Sequence, residues 1–267
     1  MRWLVWSNLL IAGSAAGWVV VTLRALRRPL DAPLMLLAFS LTLAFYTRDR
    51  LHPSERLADR RTMPERAAWV ERHAPRLRQS MYIAFSIALL MALLRPAVLP
   101  PLLAGLGFAL TYTRRWLPWR GKRWGWKHLP AMKMPFVALL WTLTTVIAPA
   151  MACHAGGWPT GRVAGGVGAL VMVQILLNDL RDVTGDRLSD TVSLPVLVGD
   201  RPARWLGGGL ILLALLLTTP LFPFPFWVCG GYSAFLLWRY RRRHDARWRV
   251  WIEGQGVLAG LAALLSP

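Results

Sequence analysis

Apolar stretches of membrane length recur from one end of this 267-residue chain to the other, and no other feature limits its possible folds so strongly. A span needs roughly 17 to 25 apolar residues. Nine stretches approach or meet that length, namely 3–23, 31–46, 80–94, 97–113, 132–152, 163–177, 205–222, 224–238 and 248–265. The expected fold class is therefore an all-α integral membrane bundle of nine transmembrane helices, one multi-pass domain over 1–267. Pro96 and Pro223 with Pro225 mark tight hairpins, because proline removes a backbone donor and stops a helix. The first stretch has no small-residue cleavage pattern and is expected to be retained.

Composition agrees. Hydrophobic residues make up 55% and charged residues 17%, too apolar for one soluble core and too apolar for a disordered chain. Cys153 and Cys229 are too few for a disulfide scaffold. The net charge of +19 would suggest nucleic acid in a soluble protein. Here the basic residues separate membrane-length runs, where they act as topology signals, so no nucleic-acid role is expected.

Lys and Arg are retained in cytoplasmic loops. With the amino terminus inside, 27 of the 32 fall on the cytoplasmic side; Arg24, Arg27, Arg28, Arg95 and Arg162 are the exceptions. That split predicts a cytoplasmic amino terminus and an exported carboxyl terminus. All acidic residues except Asp31 and Glu253 fall on the same face. Orientation does not require this, since Asp and Glu contribute little to it. The face is expected to use its carboxylates.

The loop 178–203 carries the sharpest segment, beginning Asn178-Asp179-Leu180-Arg181-Asp182-Val183-Thr184-Gly185-Asp186-Arg187. Offsets of 0, 3 and 7 place Asp179, Asp182 and Asp186 on one helix face. Arg181 and Arg187 are expected to point away from that face. A divalent cation is then the economical neutraliser, and oxygen-only ligands favour Mg²⁺. The bland alternative is a solvated helix end whose acids pair with neighbouring arginines.

Residues 178–199, NDLRDVTGDRLSDTVSLPVLVG, resemble the second aspartate-rich motif of the UbiA prenyltransferase superfamily: a D-x-x-D-x-x-x-D run, a Thr-Leu-Pro-like turn at Ser193-Leu194-Pro195, and a Gly. That family is a nine-helix membrane bundle with acidic loops after its second and sixth helices. Asp179 follows the sixth stretch here.

The first motif departs from the family pattern N-D-x-x-D-x-x-x-D followed by Pro-x-Arg. Within the expected cytoplasmic loop 47–79, anchoring on Pro64-x-Arg66 makes Glu55 and Asp59 the second and third acids, with His52 in place of the first. Anchoring on the second span instead makes Asp49 an acid of the motif, with Tyr46 and Pro53 in its neighbours' places. The first register is preferred because Glu55 and Asp59 at i,i+4 share a helix face, and on an ideal helix Asp49 points elsewhere. Pro53 would change that if it breaks the helix.

The resemblance implies intramembrane, Mg²⁺-dependent transfer from an isoprenyl diphosphate to a lipophilic acceptor. Its ion would be held by Asp179, Asp182, Asp186, Glu55 and Asp59. The diphosphate would be held by Arg66, Lys127, Lys133 and Asn178, with Asp182, Asp186 and Tyr112 acting in catalysis and Asp49, Gln174 and Glu253 as further candidates. Glu253, inside the ninth stretch, is read equally as a site residue or as a helix-packing group; Asn8 and Gln255 are read as packing groups. Trp116, Trp119, Trp124 and Trp126 among basic residues suit a loop lying on anionic lipid. The expected location is a bacterial-type plasma (inner) membrane, with the site facing the cytoplasm.

Three alternatives remain in view. A terpene cyclase of the same superfamily would use the same parts without an acceptor. A non-catalytic isoprenoid-lipid-binding protein or transporter is the rival outside enzymes, although transporters place ionisable groups near the midplane. A CDP-alcohol phosphotransferase is disfavoured because Val183 follows Asp182 where that motif needs Gly.

Overall fold

The computed structural model describes residues 2–112, 117–119, 122–124, 129–188, 192–240 and 246–266. In chain order the helices are α1 (Arg2–Trp6), α2 (Leu9–Ala25), α3 (Ala32–Leu51), α4 (Pro53–Thr62), α5 (Pro64–Leu94), α6 (Leu99–Tyr112), α7 (Lys133–Thr142), α8 (Ala148–Ala152), α9 (Gly157–Leu188), α10 (Leu194–Val198), α11 (Asp200–Thr218), α12 (Pro223–Arg239), α13 (Ala246–Glu253) and α14 (Gln255–Leu265). Strands β1 (Leu117–Trp119) and β2 (Lys122–Trp124) pair antiparallel between α6 and α7, with Pro118 opposite Arg123.

Over its described residues each of the nine expected apolar stretches is mostly helical, and the prolines set their junctions. α5 ends before Pro96 and α12 begins at Pro223. Pro33 stands in the first turn of α3, where Asp31 caps by accepting the Leu34 amide at 3.1 Å. Between α7 and α8 the chain passes through a π-helical turn, Leu143–Ile147. Pro149 follows it, and without an amide proton it cannot bond the carbonyl of Thr145, so the widened ladder has a cause.

Several boundaries differ from the hydropathy reading. The segment 47–79, expected as a loop, is helical for most of its length: α3 runs on to Leu51, α4 follows, and α5 is continuous from Pro64 through an internal Pro75. Helix there is carried by polar helix formers that a hydropathy window does not register. Likewise α9 continues past its apolar part, so its final turns carry the aspartates. The first stretch is broken at Asn8, whose backbone is left-handed (φ 64°), and the last at Gly254.

Three helical stretches, Pro64–Leu94, Lys133–Ala152 and Gly157–Arg187, are long and apolar enough to cross a membrane. Of their apolar windows, 78% is buried for the third and 22% for the first, so α9 is the central rod and α5 a peripheral one. Leu89, Leu93, Trp205, Leu216, Trp238 and Leu265 are exposed. An exterior of this kind suits hydrocarbon, which solvates it as well as a protein core would.

Packing within the bundle relies on small residues. A Cβ added to Gly17 of α2 would meet the Gly256 carbonyl oxygen at 2.0 Å, and one added to Gly256 of α14 would meet that of Ser14 at 2.4 Å. These two helices touch backbone to backbone. Gly17→Ala is therefore expected to cost about 1–3 kcal/mol through forced separation of α2 and α14. Gly208→Ala, inside α11 and meeting nothing within 4 Å, should leave stability unchanged or raise it by up to about 1 kcal/mol. Thermal unfolding of the two variants in one detergent compares them directly, and equal melting temperatures would contradict the close approach.

Candidate functional site

The final turns of α9 meet the start of α7. Asp179 and Asp186 are 1% and 7% exposed, and Lys133, the first residue of α7, reaches across to both. Its Nζ lies 2.7 Å from Asp179 Oδ1 and 3.4 Å from Asp186 Oδ1. One ammonium from a neighbouring helix thus serves two carboxylates two turns apart. Asp179 Oδ2 is buried and accepts no hydrogen bond from the described residues. A buried carboxylate short of donors is costly unless a cation satisfies it, so this end of α9 has a demand for positive charge that Lys133 meets only in part.

Asp182 is placed differently. Arg181 Nε and one terminal nitrogen donate to its two oxygens at 2.8 and 2.6 Å. The expectation that Arg181 turns away from the acidic face is corrected here. Neighbours on a helix diverge by about 100°, but the arginine arm is long enough to fold back, and at 7% exposure its guanidinium has little water to turn to.

The first acidic segment arrives from α4 and α5. His52 is extended (ψ 137°) between α3 and α4, so Pro53 does break the helix. Asp49 and Glu55 consequently belong to different helices, and the ideal-helix phase that separated them does not apply. A second break at Met63 turns the chain from α4 into α5. Arg66, in the first turn of α5, folds back onto Asp59 of α4: its Nε donates to Oδ2 at 2.9 Å and a terminal nitrogen donates to Oδ1. Both residues are buried. The Thr62 methyl lies where a Cβ on Gly185 would meet it at 3.7 Å, which seats α4 against the end of α9. The two acidic segments, more than a hundred residues apart in sequence, therefore share one end of the bundle.

Among the described residues, no three His, Cys, Asp or Glu side chains gather closely enough to hold a metal between them. Glu55 lies on α4 and Tyr112 ends α6, but their side chains are outside the described residues, as is Lys127 altogether. Asn178 donates to the Gln174 carbonyl at 3.1 Å. Gln174 Nε2 in turn lies 3.5 Å from the Glu253 carbonyl, which also accepts from the Ser14 hydroxyl. The Glu253 carboxylate pairs with Arg249 one turn earlier on α13. Gln174 and Glu253 thus tie α9, α2 and the α13–α14 junction together. Asn8 and Gln255 bond Thr47 and Ser233 across helices, as expected of packing groups.

Two groups escaped the sequence reading. Arg50, 8% exposed, donates to the Val5 and Trp6 carbonyls and closes the end of α1. Tyr46, one turn before it, accepts the Trp141 indole N–H at 3.2 Å, with the rings edge to face at 6.4 Å. The partners lie 95 residues apart, so no local spacing announces them. Trp141 stands two turns beyond Lys133 on α7, and helical side chains lean toward the amino terminus. The aromatic pair therefore borders the apolar side of the charged cluster.

The UbiA prenyltransferase family model matches residues 80–252, a segment that contains Lys133 and Asp179 to Asp186 and begins beyond the altered first acidic segment. Among solved structures, the fold is similar to a UbiA homologue from Archaeoglobus fulgidus bound to DMAPP and Mg²⁺, with a TM-score of 0.57 at 13% identity over 99% of each chain. It is similar also to a digeranylgeranylglyceryl phosphate synthase, with a TM-score of 0.56 at 12% identity over 98% of this chain and 99% of that one. No curated protein matches the sequence. A central apolar helix ending in buried carboxylates, the acidic motif on its last turns and the match over most of the chain lead to one assignment: this protein belongs to the UbiA prenyltransferase family.

Proposed function

We propose that the protein is a Mg²⁺-dependent intramembrane prenyltransferase that takes an isoprenyl diphosphate as donor and a lipophilic molecule as acceptor. The observation that carries this reading is the buried Asp179–Asp186 pair bridged by Lys133 at the polar end of an otherwise apolar bundle. The Archaeoglobus fulgidus homologue, with its DMAPP and Mg²⁺, supports the donor class and the metal. In this reading all nine helical stretches cross the membrane, the amino terminus is cytoplasmic, and the site opens at the cytoplasmic face of a plasma membrane.

The roles follow from charge and placement. Asp179 and Asp186 hold the metal, with Asp182 joining them once Arg181 turns to another anion, and Glu55 contributing from α4. When bound, Mg²⁺ supplies charge neutralisation that makes the diphosphate a better leaving group. Lys133, Arg66 and Lys127 hold diphosphate oxygens, and Asn178 and Tyr112 orient them. Arg66 leaves Asp59 to do so, exchanging one doubly hydrogen-bonded anion for another, a geometry guanidinium suits better than ammonium. Tyr46 and Trp141 close the apolar side, excluding water from the allylic carbon and offering ring faces to its developing positive charge.

Three measurements test this reading. Purified protein given geranylgeranyl diphosphate and a lipid extract as acceptor source should release diphosphate with Mg²⁺ and stop with EDTA. Asp179→Asn should lower that rate at least about tenfold, the effect of roughly 1.4 kcal/mol; metal-independent release, or an unaffected variant, overturns the assignment. The Asp59–Arg66 pair should also be visible in stability. Removing one partner strands a buried charge, so Arg66→Met is expected to cost roughly 3–5 kcal/mol, and adding Asp59→Asn should recover part of it. Thermal unfolding of the single and double variants reads this, and a double variant weaker than Arg66→Met denies the pairing. Finally, a reporter active only after export, fused behind Pro267, should be active; activity of a cytoplasmic reporter there rejects the nine-span topology.

A further inference from the structure

We propose that Lys133 is an exchangeable counter-cation: it holds the Asp179–Asp186 pair while the protein is metal-free, and yields it to a divalent ion only when a diphosphate is present to receive the lysine's own charge. Metal and diphosphate then bind as a coupled pair. This rests on the prenyl-diphosphate reading above and extends it to the order in which the site fills.

The argument starts from how the acids at this end are neutralised. Asp182 is served by the adjacent Arg181, and Asp59 by Arg66 seven residues away. Asp179 and Asp186 draw on a residue far along the chain, 46 and 53 positions distant, and share it. Their side chains are 1% and 9% exposed, whereas that of Lys133 is 26% exposed. The carboxylates are fixed inside the bundle, and the ammonium, on a flexible four-carbon stem, is the member able to leave. It is also the member whose departure exposes the oxygens a hard cation prefers.

An ammonium and a divalent ion cannot occupy the same carboxylate oxygens, because like charges at such separations repel strongly away from bulk water. A displaced Lys133 would then stand beside the metal, one like charge against another. With no anion to meet it, that state is costly. A diphosphate supplies the missing anion, taking the ammonium as well as the metal. Each ligand thus lowers the cost of binding the other, and linkage makes the coupling equal in both directions. Asp179 Oδ2, buried and without a hydrogen-bond donor among the described residues, marks where Lys133 leaves the demand for positive charge incompletely met.

The test uses Mn²⁺ as a spin probe for Mg²⁺ and dimethylallyl thiolodiphosphate as an unreactive donor. Free Mn²⁺ is followed by electron paramagnetic resonance with the full chain in detergent, after subtracting the ion chelated by the analogue alone. For the wild type, the analogue should raise Mn²⁺ affinity at least about tenfold. Lys133→Met and Lys133→Gln should each bind Mn²⁺ at least about tenfold more tightly than the wild type without analogue, and the analogue should add less than about threefold. Lys133→Arg, which keeps a cation, should behave as the wild type does. A wild type that binds the analogue, together with neutral variants whose Mn²⁺ affinity is unchanged, overturns the exchange alone. A wild type that takes up no analogue at any Mn²⁺ concentration overturns the prenyl-diphosphate reading as well.

Discussion

A helix buried along most of its length and ending in carboxylates has to find its counter-charges within the protein, and α9 is such a helix. Its apolar part is the most enclosed of the three long apolar helices among the described residues, and its last turns carry Asp179 and Asp186, where little water reaches, with Asp182 half-buried between them. Burying these charges unpaired would cost several kcal/mol each. α7 therefore begins with a lysine at the place where α9 ends, and Arg181 folds back onto its neighbour. α4 and α5 then bring Asp59 and Arg66 to the same end as a pair already neutralised. The arrangement of helices at this end of the bundle is, in that sense, a charge-matching problem solved in three dimensions.

The same logic appears at the helix ends away from the acids. Arg50 donates to carbonyls that end α1, Arg162 to the Leu216 and Leu217 carbonyls that end α11, and Arg204 to the Leu237 and Tyr240 carbonyls that end α12. The last carbonyls of a helix have no partner within it and carry the negative end of its dipole. In an apolar environment these groups cannot rely on water, and guanidinium satisfies two of them at once. Some of the chain's excess positive charge thus closes helices, beyond its use in orientation or in binding phosphate.

For the functional site this means that the described cations beside the acids are already engaged. Lys133, Arg66 and Arg181 each hold a carboxylate, so in the proposed function ligand binding would be an exchange of partners. Exchange between anions of similar geometry costs less than creating or stripping a buried charge. A site built this way can stay folded without its ligands and still recruit them. The Tyr46–Trp141 pair, joined by the indole N–H donating to the Tyr46 hydroxyl, lies on the apolar side of the cluster.

What the sequence determined on its own was whatever repeats locally. Membrane-length apolar runs, prolines at junctions and the 0, 3, 7 spacing of Asp179, Asp182 and Asp186 are properties of contiguous residues, and each appears in helix as expected. The continuation of α5 back to Pro64 was hidden because helix there is polar, and hydropathy registers burial in lipid rather than helicity. The break at Pro53 was visible as a possibility, but its effect on Asp49 depended on the path taken afterwards. Tertiary structure alone decided the partners: Lys133 with Asp179 and Asp186, Arg66 with Asp59, Trp141 with Tyr46, Gly17 against Gly256. The physical reason is that a residue's type fixes the charge or the space it needs, whereas which residue supplies it is set by helix packing across tens to hundreds of positions.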